Sequence, residues 1–476
     1  MAVLLVLAPI LCSAVAFATP SNRTRPSVVT VGSLVQLVLV AFALTRPHVE
    51  GLNGWLLLDP VGRIVLGFTA LLFAAAGLYV PGYLAQRSER PNRIFCTCVL
   101  AFMGVLALIT EAHHLGLMWV AMEASTLTAA PLLYFNRNAR SLEATWKYLL
   151  LGSVGIALAL LGSFFLGYAA FYTGGEPSLL LADLVQNAPN MSRSWLHAAF
   201  MVLLVGYGTK MGLAPMHTWK PDAYGEAPGL AGTLLAGALT SGAFVAILRV
   251  YRICAAAGEA DFARKPMIAL GLFSMLVAGV FMARQKDFKR MLAYSSVEHM
   301  GILILGIGIG GSAVFGTMLH MLNNGLTKGV LFLSAANIHR AFGSKSTDDV
   351  RGAIRRVPIS AALFLAGFFA VTGSPPFGPF LSEFTILNAA VSSGQFVVAG
   401  SFLVMLVIVF MGMGSTVLLV VQGEASSSTI QPLERERVLT VAPGIFLIAL
   451  VLLLGIYIPE PLDALLRSAA ASLEGP

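Results

Sequence analysis

Four ionisable residues stand inside strongly apolar sequence. Glu123 lies in LMWVAMEASTLTAAPLLYF, Lys210 in GYGTKMGLAPMH, Lys328 in TMLHMLNNGLTKGVLFL, and Glu383 closes AVTGSPPFGPFLSE. A charge at the centre of a bilayer costs at least about 2.5–3.5 kcal/mol on insertion scales, so each needs a partner or a hydrated cavity. A buried carboxylate and ammonium within reach of each other stabilise one another's charged forms and titrate as a coupled unit, and proton transfer is the chemistry open to such a pair. His320, Asn324 and Lys328 recur at i, i+4 and i+8, which makes one polar stripe along a helix. An imidazole takes up and releases protons near neutral pH, so the stripe suits a proton relay. Helix-to-helix packing through hydrogen bonds is the alternative, and the relay is the favoured reading.

Weaker candidates surround these four. His217 follows Lys210 by two helical turns, and Ser241 and Thr240 supply hydroxyls to a neighbouring apolar stretch. Glu298 and His299, in YSSVEHMGILILG, either extend the path or cap a span at the interface. Glu111, His113 and His114 fall at a turn, where a solvated loop is the expectation.

The elements that position these groups follow from composition. Of 476 residues, 57% are hydrophobic and only 11% are charged, against about 25% charged in a soluble globular chain. This excludes a soluble protein. Charged and Pro-rich breaks divide the chain into roughly fourteen apolar stretches long enough to span hydrocarbon, the expected fold being an all-α integral membrane protein. The first stretch, MAVLLVLAPILCSAVAFATP, is signal-peptide-like but has no basic residue before its apolar core, so it is kept as a membrane helix, with cleavage as the weaker alternative. Lys and Arg concentrate in the loops after odd-numbered stretches, which puts those loops in the cytoplasm and both termini outside.

Two stretches are interrupted by helix breakers in corresponding places. The seventh contains Gly206, Gly212 and Pro215; the twelfth contains Gly373, Pro375 and Pro376. Paired broken helices separated by an odd number of spans point to inverted repeats around an ion path near the midplane. The expected organisation is an N-terminal three-helix segment (1–92), a first five-helix repeat (93–255), a second (256–422) and a C-terminal helix (423–476). Cys12, Cys96, Cys98 and Cys254 all lie in or beside apolar stretches and read as buried thiols.

The strings LMWVAMEASTLTAAPL, GTKMGLAPMHTWKPDAYGEAP, RQKDFKRMLAYSSVEHMGIL and HMLNNGLTKGVLFLSAANI resemble the proton-translocating antiporter-like subunits of respiratory complex I, membrane-bound hydrogenases and Mrp antiporters. The resemblance implies a fourteen-helix fold with two inverted five-helix repeats, in which Glu123, Lys210, Lys328 and Glu383 are the glutamate and lysine positions of the path. YSSVEHMG, with its acidic residue, is most similar to component F of hydrogenase-4 and formate hydrogenlyase complexes. The short sequence after the last span, ending at Pro476, leaves no room for the lateral helix of the largest complex I antiporter subunit, which agrees with that branch. Three positions depart from the family pattern: Ser241 stands where an eighth-helix Lys or His is frequent, Asn324 where His is frequent, and Lys220 where HTWxPDA commonly has Leu. Lys220 is read as a charge at the cytoplasmic edge.

No CxxC cluster and no strand–GxGxxG–helix unit is present, and GIGIGG at Gly306–Gly311 lies within an apolar span. No cofactor or metal is therefore expected on this chain, and nothing suggests nucleic acid. The expected function is a non-catalytic proton-translocating subunit of a membrane oxidoreductase in a bacterial or archaeal plasma membrane. Its partners would be other membrane subunits, a peripheral redox arm, the lipid bilayer and protons. The alternatives are an Mrp-type sodium/proton antiporter component and a structural anchor subunit.

Overall fold

The computed structural model describes residues 1–87, 89–172, 178–424 and 435–474. Almost everything in it is helix. α1 (Ala2–Ala18), α2 (Arg25–Leu44) and α3 (Pro60–Leu84) precede α4 (Arg93–Glu111), α5 (Leu115–Leu133), α6 (Ala139–Phe171) and the short α7 (Leu181–Asn187). There follow α8 (Arg193–Met211), α9 (Trp219–Glu226), α10 (Gly229–Leu234) and α11 (Thr240–Ala256), the last two joined by a π-turn at Leu235–Leu239. The second half runs through α12 (Ala260–Met282), α13 (Phe288–Ile309), α14 (Ser312–Phe342), α15 (Ala353–Arg356), α16 (Pro358–Val371), α17 (Gly378–Ser392), α18 (Phe396–Gln422), α19 (Val438–Ile456) and α20 (Glu460–Glu474). A two-residue hairpin, Glu50–Gly51 with Leu56–Leu57, is the one sheet among the described residues.

Local sequence sets the helix starts. Asp59 accepts the Gly62 N–H at 2.7 Å ahead of Pro60, which needs no N–H partner at the first helical position. Asn138 and Ser141 form a reciprocal capping box at α6. Asp287 accepts from the N–H groups of Lys289 and Arg290 at the start of α13.

Ten helices among the described residues are long and apolar enough to cross a membrane. The chain is a multi-pass membrane protein. α8 and α14 fall outside the ten because Lys210 in one, and His320, Asn323, Asn324 and Lys328 in the other, dilute their apolar runs. Burial grades from the centre of the bundle outward. α10 with α11, and α13, are buried throughout, whereas α2, α12, α18 and α19 bury only about a third of their residues. Those outer helices present Val38, Val280, Val407 and Ile456 outward, as a lipid-facing surface does, and leave the polar groups to the central helices. The amphipathic α20 was not anticipated from sequence; it buries Leu466, Ala469 and Leu473 and packs on α14 and α3.

Candidate functional site

The first constellation lies where α8 stops. Gly212 takes a left-handed backbone (φ +81°) that ends the helix one turn after Gly208 and places Lys210 in the last turn. Gly206, expected at the break, is instead inside α8. A Cβ there would meet the backbone of Gly155 and Ala159 at 2.6–2.7 Å, so this glycine allows α8 and α6 to pack closely. Pro215 lies in the connection to α9. Lys210 is fully buried, and its Nζ donates to Thr126 Oγ1 at 2.6 Å and Tyr148 Oη at 3.2 Å. Thr126 Oγ1 also lies 3.5 Å from Glu123 Oε2, and Ser153 donates to Glu123 Oε1 at 2.9 Å. One hydroxyl thus stands between the carboxylate on α5 and the ammonium on α8.

The second constellation joins α13, α14 and α17. Lys328 Nζ donates to Ser295 Oγ at 2.8 Å, across to α13 and away from its own stripe. Glu298 and His299 stand in the middle of α13, both buried, with Glu298 Oε2 4.0 Å from His299 Nε2. His299 Nδ1 and His320 Nε2 are 2.9 Å apart, and His320 Nδ1 is 2.9 Å from Ser382 Oγ. Ser382 donates its own hydroxyl to Pro379 O, so it accepts from His320 Nδ1–H. Hydrogen-bond matching then assigns His320 Nε2 as acceptor of His299 Nδ1–H, and leaves the bare Nε2 of His299 facing Glu298. His299, His320 and Ser382 form a hydrogen-bonded chain, with Glu298 beside its His299 end at 4.0 Å.

Glu383, next to Ser382, is buried with Oε1 unpartnered. It occupies the space beside Gly373 (φ +63°), where any Cβ would overlap its carboxylate. Pro375 and Pro376 lie in the same interruption between α16 and α17. Ligand atoms of His299, His320 and Glu383 all lie within 4.8 Å of one another. Two imidazoles and a carboxylate are a donor set that a transition-metal ion accepts. The 2.9 Å separation of two imidazole nitrogens is equally that of a pair sharing a proton.

Other expected residues sit apart. Both amide atoms of Asn324 are buried without a partner, as are those of Asn323 beside Gly378. His217 is in the turn before α9, its Nδ1 unpartnered and its ring 6.2 Å from that of Tyr294. Ser241 Oγ donates to Gly237 O one turn back along its own helix, which occupies the hydroxyl locally.

Two expectations are overturned. Glu111 and His113 are not in a solvated loop: both are buried, and His113 Nε2 lies 3.4 Å from Asp59 Oδ2. Arg249 Nη2 is 3.6 Å from Asp59 Oδ1 and the guanidinium donates to the carbonyls of Ile109, Thr110 and Ala112, capping the end of α4. Burial raises the Asp59 carboxyl, but Arg249, His113 and the Gly62 N–H outweigh it and hold the group well below the usual carboxylate range. Lys220, expected at a cytoplasmic edge, is fully buried.

Sequence reasoning passed over Thr126, Tyr148, Ser295, Ser382 and Asn323. Signals existed for three: Thr126 follows Glu123 by three residues, Ser295 precedes Glu298 by three, and Ser382 adjoins Glu383. On a helix, i and i+3 share a face.

A membrane bundle with two interrupted helices, each beside buried ionisable groups, defines an antiporter-like membrane subunit. The chain belongs to the NADH:quinone oxidoreductase/Mrp antiporter transmembrane family, whose model matches residues 112–414. It is similar to a hydrogenase-4 component F homolog of Methylacidiphilum infernorum (isolate V4), 36% identical over 328 residues that cover 68% of this chain and 69% of the relative. It is also similar to NADH-quinone oxidoreductase subunit N of Desulforudis audaxviator, 30% identical over 386 residues covering 78% and 75%. A chain of the membrane-bound sulfane sulfur reductase, an archaeal respiratory membrane complex, shares the fold with a TM-score of 0.89 at 20% identity, covering 100% of this chain and 98% of that one.

Proposed function

We propose that this chain is a proton-translocating subunit of a multi-subunit membrane oxidoreductase of the hydrogenase-4 or complex I type, in a bacterial or archaeal plasma membrane. Redox chemistry then sits on a peripheral arm, and other membrane subunits flank this one. The observation that carries the reading is the hydrogen-bonded chain His299–His320–Ser382 with Glu298 beside it, together with the Glu123–Thr126–Lys210 cluster. The Lys210–Thr126, His299–His320 and His320–Ser382 contacts, at 2.6–2.9 Å, are short enough for protons to pass by hydrogen-bond exchange, while Glu298 at 4.0 Å and Glu123 at 3.5 Å join through a bridging water or a small side-chain movement.

In this reading a push from a partner changes the separation of Glu123 and Lys210, and the charge change biases the second constellation. That is a coupling between two sites, and it works in both directions. Residues 93–255 and 256–422 are two inverted five-helix repeats. One comprises α4, α5, α6, the α8–α9 pair and α10–α11; the other comprises α12, α13, α14, the α16–α17 pair and α18. The interrupted helix is the fourth in each, which supports the pairing. With 1–92 and 423–476 this gives fourteen membrane helices and both termini outside.

Sodium/proton exchange is the second reading, since the family's name includes Mrp antiporters. Sodium favours several oxygen ligands around one point, whereas His299 and His320 hold the centre of the second constellation as a directly hydrogen-bonded pair, and this favours protons. A structural anchor is the third. The test is proton uptake by vesicles containing the reconstituted complex, with Glu123→Gln and Lys210→Ala separately. Loss of proton flux at retained redox turnover is expected; flux unchanged in both variants refutes the proposal, and flux that tracks sodium favours the Mrp reading.

A further inference from the structure

At the start of α11, Thr240 and Ser241 offer no relay between the two constellations, because both spend their hydroxyls on carbonyls one turn back along their own helix. Lys220 comes from α9, which packs on α6 of the first constellation and on α13 of the second. It is the second residue of α9, and α9 is tied back to the end of α8 by Trp219 Nε1, which donates to Thr209 O at 2.9 Å, next to Lys210. The aliphatic stem of Lys220 runs over Gly212, where any Cβ would overlap its Cδ and Cε. The same glycine that ends the Lys210 helix therefore makes the channel for the Lys220 side chain.

The far end of Lys220 reaches α13. Nζ lies 3.1 Å from Ser296 Oγ and 3.5 Å from Ser296 O, and 5.9 Å from the Tyr224 ring centroid. Ser296 is the residue after Ser295, and Ser295 Oγ accepts from Lys328 Nζ at 2.8 Å. The two ammonium groups are thus held by consecutive hydroxyls on one turn of α13. No carboxylate lies within ion-pair distance of Lys220 among the described residues. An ammonium has three donors, and this one has a single well-placed acceptor in a fully buried site. A buried, incompletely paired charge is costly and is not explained by stability.

We propose that Lys220 is the central proton-carrying residue of this subunit, linking the Lys210 cluster to Lys328 across the Ser295–Ser296 turn in place of an ionisable group on α11. The proposal rests on the proton-translocating reading above. Lys220 takes a proton on Nζ from the Lys210 side and passes it over the Ser296 and Ser295 hydroxyls toward Lys328. Each transfer moves one proton between heavy atoms and requires no other reactant.

The test is the ratio of protons moved per electron in vesicles containing the assembled complex, measured alongside redox turnover with the membrane made proton-leaky. Lys220→Met keeps the length of the side chain and removes the charge. The expected result is at least a tenfold fall in protons per electron with leaky-membrane turnover retained, a split that a packing role would not produce. Ser296→Ala, a smaller change that leaves Lys220 without its hydroxyl, is expected to lower the ratio several-fold. Lys220→Met with a ratio within twofold of the parent, while Lys210→Ala abolishes pumping, overturns the assignment of Lys220 and leaves the wider reading standing. Pumping that survives in Lys210→Ala as well defeats the wider reading itself. Should Lys220→Met not assemble, Ser296→Ala decides, and an unchanged ratio there overturns the proposal.

Discussion

Thr126→Val isolates the contact between Glu123 and Lys210. Valine keeps the shape of threonine and removes the one oxygen that accepts from Lys210 Nζ at 2.6 Å and lies 3.5 Å from Glu123. Tyr148 Oη, at 3.2 Å, remains as an acceptor, so the ammonium keeps one neutral partner. A hydrogen bond to a charged group contributes about 1.5–3 kcal/mol. At about 1.4 kcal/mol per factor of ten, its loss lowers the occupancy of the charged lysine, and any step through it, by roughly 10- to 150-fold. Helix packing should change little, because Thr126 makes one interhelical hydrogen bond, to Lys210, its other contacts being to Glu123 and Met122 on its own helix. The assay is proton flux per redox turnover in reconstituted vesicles, with thermal inactivation of the complex as the folding control. A flux unchanged within twofold at normal stability would refute the idea that this hydroxyl joins the pair.

Three further outcomes are expected. Ser382→Ala removes the acceptor of His320 Nδ1–H, leaving a buried donor unsatisfied at about 1–3 kcal/mol and freeing the imidazole to switch tautomer, so protons per electron should fall while leaky-membrane turnover persists; an unchanged ratio argues against the His299–His320–Ser382 route. Gly373→Ala places a methyl against the Glu383 carboxylate at a left-handed backbone that alone costs about 1–2 kcal/mol, so the thermal midpoint of the complex should drop, and an unaltered midpoint contradicts the packing described. Asp59 has its folded-state pKa depressed, so its stabilising contribution is full above the unfolded value of about 3.9 and is lost at about 1.4 kcal/mol per pH unit as pH falls below it. Asp59→Asn should lower stability at neutral pH and flatten the acid limb of a stability–pH curve; parallel curves for variant and parent would sink that account.

The sequence shows which side chains are out of place in oil, but little of what they touch. Glu123, Lys210, Lys328 and Glu383 stand out because a single charge interrupts a long apolar run. The partners are hydroxyls on neighbouring helices, and helical periodicity identifies a face without naming the helix that covers it. Lys328 illustrates this: its i, i+4, i+8 stripe points to His320 and Asn324, yet the ammonium reaches across to Ser295 on α13. Lys220, a departure from the HTWxPDA pattern, reads from sequence as an edge charge. Its burial depends on the chain turning back after Gly212 so that α9 packs on α13; the breakers Gly212 and Pro215 mark the interruption without specifying that contact. Gly206 erred the opposite way, since glycine serves close packing between membrane helices as readily as it breaks them. Glu111 and His113 were assigned to solvent by adjacency to a turn, whereas Arg249, far along the chain, draws that turn into the interior.

The central claim is that the buried polar atoms line a hydrated proton route. A structure of the assembled complex at a resolution that reveals ordered water tests it most directly. Water is expected within hydrogen-bond distance of His299 Nε2, Glu383 Oε1 and the side-chain amides of Asn323 and Asn324, all of which are buried and unpartnered by protein. Those atoms found packed against apolar side chains alone, with no water reaching from one constellation to the other, would contradict it.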